Sequence, residues 1–186
     1  MIHPSGSKRS TRALYAWEVE EARQVFGSSL RYERVKIHEG YAWTNTIDRI
    51  GHWLKKMSYA KNNNAITLGY HCYFPVHLPK QALIPGDPEH YQIGWLIHEL
   101  THAWQYQRLG WRYLWKVLSA HMYARQAAYD FGGESGLKSL DQGRSILNMF
   151  NLEQQGDIAR SYYNRLVAGE DVSAWIRYIE EFKENI

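Results

Sequence analysis

His98-Glu99-Leu100-Thr101-His102 sets two histidines four residues apart around a glutamate. On a helix, side chains at i and i+4 lie about 6 Å apart on one face, so both rings can offer a nitrogen to one Zn2+ at about 2.0–2.1 Å. Glu99 is turned roughly 100° from His98 and reaches an activated water as general base without displacing it. The chemistry such a trio supports is metal-assisted hydrolysis. A chain of this composition meets the pattern by chance roughly 0.03 times, so its setting has to carry part of the inference.

A catalytic zinc needs three protein ligands and one open position. Beyond the two histidines, the acids and histidine downstream that could supply the third are His121, Asp130, Glu134, Asp141, Glu153 and Asp157. His121 lies on the next helix, and Glu134 sits among glycines as a loop charge. Glu153 falls in the first turn of a helix, with Asp157 four residues on along the same face. One of these carboxylates can ligate the metal while the other holds the far ring nitrogen of a ligating histidine. Spacing alone balances that reading against a first-turn acid favoured by the helix dipole.

The elements that must position these residues can be read from periodicity. Residues 1–12 are small, polar and basic and read as a flexible tail, leaving 13–186 as one domain. Apolar spacing predicts a helix from Leu14 to Phe26, a strand over Arg31 to His38 and a helix over Asn45 to Met57. Ala65 to Phe74 reads as the best strand of the chain, with Gly69 as a bulge or close approach. Asp87-Pro88-Glu89 and Gly110 bracket a helix over Pro88 to Leu109 that carries the histidine motif. A further helix bears Leu114, Trp115, Leu118 and Met122, and residues 130–150 read as a glycine-rich excursion. Asn151 and Gln154 form a capping-box pattern opening a helix to about Val167, and Asp171 caps a last one with Val172, Trp175, Ile176 and Ile179 inward. The fold class is therefore α+β: a small sheet packed on the motif helix, with a mostly helical C-terminal part.

Composition removes several alternatives. Of 186 residues, 45% are hydrophobic and 22% charged, which excludes wholesale disorder. One cysteine, Cys72, excludes a disulfide scaffold. A formal charge of +3 with scattered basic residues and no recognition motif argues against nucleic acid. No run of about 18 apolar residues and no signal-like N-terminus is present, so no membrane partner is expected and the default compartment is the cytoplasm, with export by a route lacking a cleaved signal left open. Eight Trp and fourteen Tyr imply an aromatic-rich core, or else a ring-lined cleft.

The stretch Ile93 to Gln107, together with Asn151 to Ile158, resembles the zincin-like metallopeptidase-type domains of bacterial Rhs, VgrG and contractile-injection-system proteins. Val25 to Val35 and Ile66 to Pro75 look like further segments of that family. The resemblance implies a zincin-like fold, a zinc cofactor held by His98, His102 and Glu153, and Glu99 as the catalytic base. It implies a peptide or protein substrate and a secretion-system or toxin-associated partner. In the glutamate-zincin pattern Asn-Glu-x-x-x-Asp, Glu153 and Asp157 match, and Leu152 stands at the asparagine. The function expected is a zinc-dependent peptide-bond hydrolase; the rival is a non-catalytic, metal-stabilised binding domain within a larger secreted or effector assembly. Tyr162, Tyr163, Tyr129 and His121 are the candidates for stabilising the oxyanion. The 65–74 strand is expected to be the exposed edge that takes an extended peptide.

Overall fold

The structure is a computed structural model that describes residues 8–41, 65–84, 86–110, 130–139, 145 and 149–184. The helices expected over Asn45 to Met57 and around Leu114 to Met122 lie outside the described residues. The elements are β1 (Ser10–Arg12), α1 (Ala16–Phe26), a 3-10 turn (Tyr32–Arg34), β2 (Lys36–Glu39), β3 (Ile66–Leu68) and β4 (His71–Phe74), followed by four helices. These are α2 (His90–Leu109), α3 (Gly133–Ser139), α4 (Leu152–Val167) and α5 (Ser173–Lys183). The class is α+β, as the periodicity indicates.

The four strands form one mixed sheet in the order β1-β2-β4-β3, with β2 and β4 parallel and the other two pairs antiparallel. Ile37, Thr67, Cys72 and Phe74 are buried on its inner face, where α2 packs against β3 and β4. On its far side α2 packs against α4, and α1 and α5 close the core around Phe26, Trp104 and Phe182. Trp104, Trp175, Tyr163 and Tyr178 are all buried, so these aromatics build core and do not line a cleft.

Four expectations are corrected. The 65–74 segment is two strands, because Gly69, at φ 66°, and Tyr70 form a two-residue hairpin turn between Leu68 and His71. Its second half is not an edge: β4 is paired on both sides, and among the described residues the edge next to it is β3. Within the supposed excursion, Gly133–Ser139 is a short helix that buries Leu137. In α5 the inward stripe is Trp175, Tyr178, Ile179 and Phe182, whereas Ile176 is 50% exposed, being one residue, or 100°, off that stripe.

The supposed tail also contributes structure, since Ser10–Arg12 pairs with β2. The reason is Arg12, whose guanidinium meets Glu18 at 2.7 Å and Glu39 at 2.9 Å, both carboxylates being buried. Glu39 also takes hydrogen bonds from Ser10 and pairs with His77. Burial would raise its carboxyl, but His77 and Arg12 outweigh that and hold it below the usual range. Removing the cation leaves the buried Glu18 without its ion-pair partner and Glu39 with only Ser10, Leu78 N and His77. Arg12→Met should therefore cost about 3–5 kcal/mol in urea unfolding; a loss under about 1 kcal/mol would show that β1 does not hold the sheet.

Candidate metal centre

The motif helix α2 ends at Gly110 (φ 58°), whose N–H bonds to Tyr106 O at 2.8 Å. It starts at His90, after an Asp87 turn in which Oδ1 accepts from Glu89 N at 2.8 Å, two residues later than the proline suggested. Ile93, Leu96, Ile97 and Leu100 are fully buried, and so is Trp104, fixing the rotation of the helix about its axis. The downstream helix α4 opens with the capping box expected: Asn151 Oδ1 accepts from Gln154 N at 2.9 Å, and Gln154 Oε1 accepts from Asn151 N at 3.0 Å. Glu153 is thus held in the first turn.

Helices α2 and α4 run antiparallel and close together, and two glycines allow it. A Cβ on Gly94 would lie 2.1 Å from Asn164 Oδ1, and one on Gly156 would lie 2.7 to 3.0 Å from the ring of His98. The pairing continues through His102 with Glu153 and Gln105 with Leu152.

Three side chains converge there. His98 Nε2 and His102 Nε2 are 3.2 Å apart, and Glu153 Oε2 is 3.3 Å from the first and 3.5 Å from the second. The three residues are 6%, 6% and 7% exposed. The other ring nitrogens are engaged. His98 Nδ1 faces Asp157 Oδ1 at 3.1 Å, which Arg160 also contacts at 2.8 Å, and His102 Nδ1 faces Gln105 Oε1 at 2.9 Å. Both Nδ1 atoms therefore carry the donated hydrogen, so in the neutral rings both Nε2 atoms are acceptors aimed at a carboxylate oxygen. Three acceptors at this separation, away from water, need a cation among them. His98, His102 and Glu153 form a group that could hold a metal ion.

In the metal-free protein a proton can play that part. Burial would lower His98, but hydrogen bonds to Asp157 and Glu153 and the charge of Glu99 outweigh it and hold the imidazole up at about 10. Burial likewise opposes the upward shift of His102, which Glu153 causes. Glu153 is held well below the usual carboxylate range against burial, by His102 and His98.

Glu99 is buried beside the cluster, and its charge acts on both histidines. Its Oε2 accepts a 2.7 Å hydrogen bond from Thr67 Oγ1 on β3. The remaining candidates are placed elsewhere. Asp130 accepts from Gly132 N, and Glu134 pairs with Lys138 and Arg165. Tyr163 donates its hydroxyl to Glu21 Oε2 at 3.0 Å, and Tyr162, nine residues from Glu153, lies on the opposite side of α4. His121, Tyr129 and Asp141 lie outside the described residues. Cys72 is fully buried and its thiol is pushed up by burial, so it is no nucleophile. A cavity of about 330 Å3 is lined by Asp157, Arg160, Ser161 and Asn164, and none of His98, Glu99, His102 or Glu153 lines it.

Thr67, Gln105 and Gln155 were not singled out by motif or spacing. The signal for the glutamines was their position, Gln105 three residues after His102 and Gln155 two after Glu153; Thr67 gave none.

Comparison with known proteins adds a context. Over 153 residues, 82% of this chain, the sequence is 32% identical to the type VI secretion system spike protein VgrG2b of Pseudomonas aeruginosa. The chain is a distant relative of part of a secretion spike protein. The aligned region is 13% of that protein's length, so the chain spans about an eighth of the relative it matches. No family model and no solved structure matches. Among the described residues no helix is long and apolar enough to cross a membrane.

Removing Glu153 leaves two imidazoles, whereas removing Asp157 loosens only one ring. With zinc as the probe ion, Glu153→Ala should lose the metal under mild chelation, and Asp157→Asn should weaken it by about 10–100-fold. Equal retention by wild type and Glu153→Ala, measured by competition with a chromophoric chelator, would remove Glu153 from the ligand set.

The pH dependence has a definite sign. Because the folded value of His98 is raised, its proton contributes stability that is complete below about 6.5 and lost as pH rises through about 10. Glu153 contributes above the ordinary carboxylate range and its share is lost as pH falls. A bound metal takes the proton's place, so the stability gap between loaded and metal-free protein should widen as pH rises from 6.5 towards 10. Thermal unfolding with and without zinc across that range checks this; a constant gap would contradict it.

Proposed function

We propose that the chain is a zinc-dependent peptide-bond hydrolase of zincin-like build, acting in a type VI secretion setting. The observation that carries the reading is the spacing of the three acceptors. Two ligand atoms about 2.0–2.1 Å from zinc at a tetrahedral angle stand roughly 3.3–3.4 Å apart. The separations of 3.2, 3.3 and 3.5 Å match that value on all three sides. Two imidazoles with one carboxylate, and no thiolate, is also the donor set of catalytic zinc. The partner setting rests on the spike protein that the chain resembles.

Bound there, zinc would supply Lewis-acid polarisation of a carbonyl and bring the pKa of water down to about 7. The chain's own residues do the rest. Glu99 takes the proton of the attacking water and later returns it to the departing amine. Thr67 holds Glu99 Oε2, restricting the rotation of the carboxylate and leaving its other oxygen for the proton. Asp157 and Gln105 keep both Nδ1 atoms protonated, so that both Nε2 lone pairs point at the ion.

A second reading is a metal-stabilised domain without catalysis, and the burial of all three ligands favours it. Glu99 separates the two, because a purely structural centre has no use for a base there. Glu99→Gln should keep near-stoichiometric zinc and lose about 10³-fold in peptide hydrolysis across a survey of peptide substrates. Undiminished cleavage by the variant would sink the mechanism. Loss of zinc together with activity would make Glu99 part of the scaffold.

A further inference from the structure

Gln105 and Gln155 are 0% and 1% exposed, and burying two side-chain amides is unfavourable unless their polar atoms are satisfied. Here they form a chain whose proton positions are fixed at its ends. Gln155 Nε2 donates to Phe150 O at 2.9 Å, a carbonyl that can only accept. That turns Gln155 Oε1 toward Gln105, whose Nε2 donates to it at 2.8 Å and to Leu152 O at 2.9 Å. Both hydrogens of the Gln105 amide are thereby used, and its Oε1 is left facing His102 Nδ1 at 2.9 Å. Rotating either amide by 180° would set an amide oxygen against a backbone carbonyl.

We propose that Gln105, locked by Gln155, is the positioning residue that orients the His102 ring with Nε2 toward Glu153 and His98. The inference rests on the metal-centre reading above and gives α4 a second task. The helix that supplies Glu153 also dictates, through the carbonyl of Leu152 in its first turn and that of Phe150 just before its cap, which nitrogen of His102 carries the hydrogen. Its other contribution, Asp157, does the same for His98. Ligand and ring orientation are thus set by one rigid element, and a shift of the first turn of α4 would disturb both at once.

The test uses the whole chain, with zinc as the probe and two readouts: affinity by chelator competition, and the Nδ1–H proton of His102 by 15N-edited NMR. In wild type this proton should be observable and protected from exchange, as should that of His98. Gln105→Leu should lose protection at His102 alone and bind zinc about 10–100-fold more weakly. Gln155→Leu, which removes a side chain hydrogen-bonded to Gln105 and Phe150 O and leaves Gln105 in place, should speed the same exchange and weaken zinc several-fold, and it carries the test if Gln105→Leu does not fold. Unchanged zinc affinity with a still-protected His102 proton in either folded variant would overturn the proposal. If wild type takes up no zinc, the metal centre fails; protection of the His102 proton in the metal-free protein, lost in Gln155→Leu, would still support the clamp, and its absence would refute it.

Discussion

Three acceptor atoms, two imidazole nitrogens and one carboxylate oxygen, lie between 3.2 and 3.5 Å apart in a region where each residue is under a tenth exposed. Left to themselves they repel, and water is too scarce there to relieve them. The packing around them holds that repulsion in place. Sheet and core fix the rotation of α2, α4 lies antiparallel across it, and hydrogen-bonded partners close the far side of each ring. A cation between the rings turns a cost into a cross-link joining two helices that are far apart in sequence.

Close approach of the two helices is the geometric condition for this, and it is met by leaving out side chains. Gly156 vacates the space that the His98 ring occupies, and Gly94 does so for Asn164. Glycine inside a helix costs roughly 0.5–1 kcal/mol relative to alanine, which the tight helix contact offsets. The sheet contributes on the opposite side of α2, where Thr67 reaches Glu99 from β3. Glu99 therefore lies between helix and sheet, while His98, His102 and Glu153 meet between helix and helix. The hairpin turn at Gly69 and the Arg12 ion cluster act at a distance, by holding β3 and β1 in the sheet that supports Glu99.

Much of the centre was legible in the sequence because it depends on local periodicity. His98 and His102 share a helical face, Glu153 and Asp157 share another, and the Asn151 capping box starts α4 where the pattern says. What spacing could not decide was which downstream acid meets the histidines; only the packing of α4 on α2 brings Glu153 and Asp157 there and leaves Asp130 and Glu134 outside. The 65–74 pattern reads as one strand because a glycine in an apolar run gives the same signal for a bulge and for a hairpin turn, and pairing partners settle the difference. Arg12 looked like part of a solvated tail because its two carboxylate partners, Glu18 and Glu39, are brought together only by the fold. Gln105 and Gln155 carry only their nearness to His102 and Glu153 as a signal, because amides have no characteristic spacing.

The central claim is that these three side chains hold one zinc ion. X-ray absorption at the zinc edge on purified, unsupplemented protein tests it directly. The account predicts about one zinc per chain, bound by two imidazole nitrogens and carboxylate oxygen at about 2.0–2.2 Å, with no sulfur. A folded protein that retains no stoichiometric metal, or a zinc shell with a single imidazole or with sulfur, would contradict it.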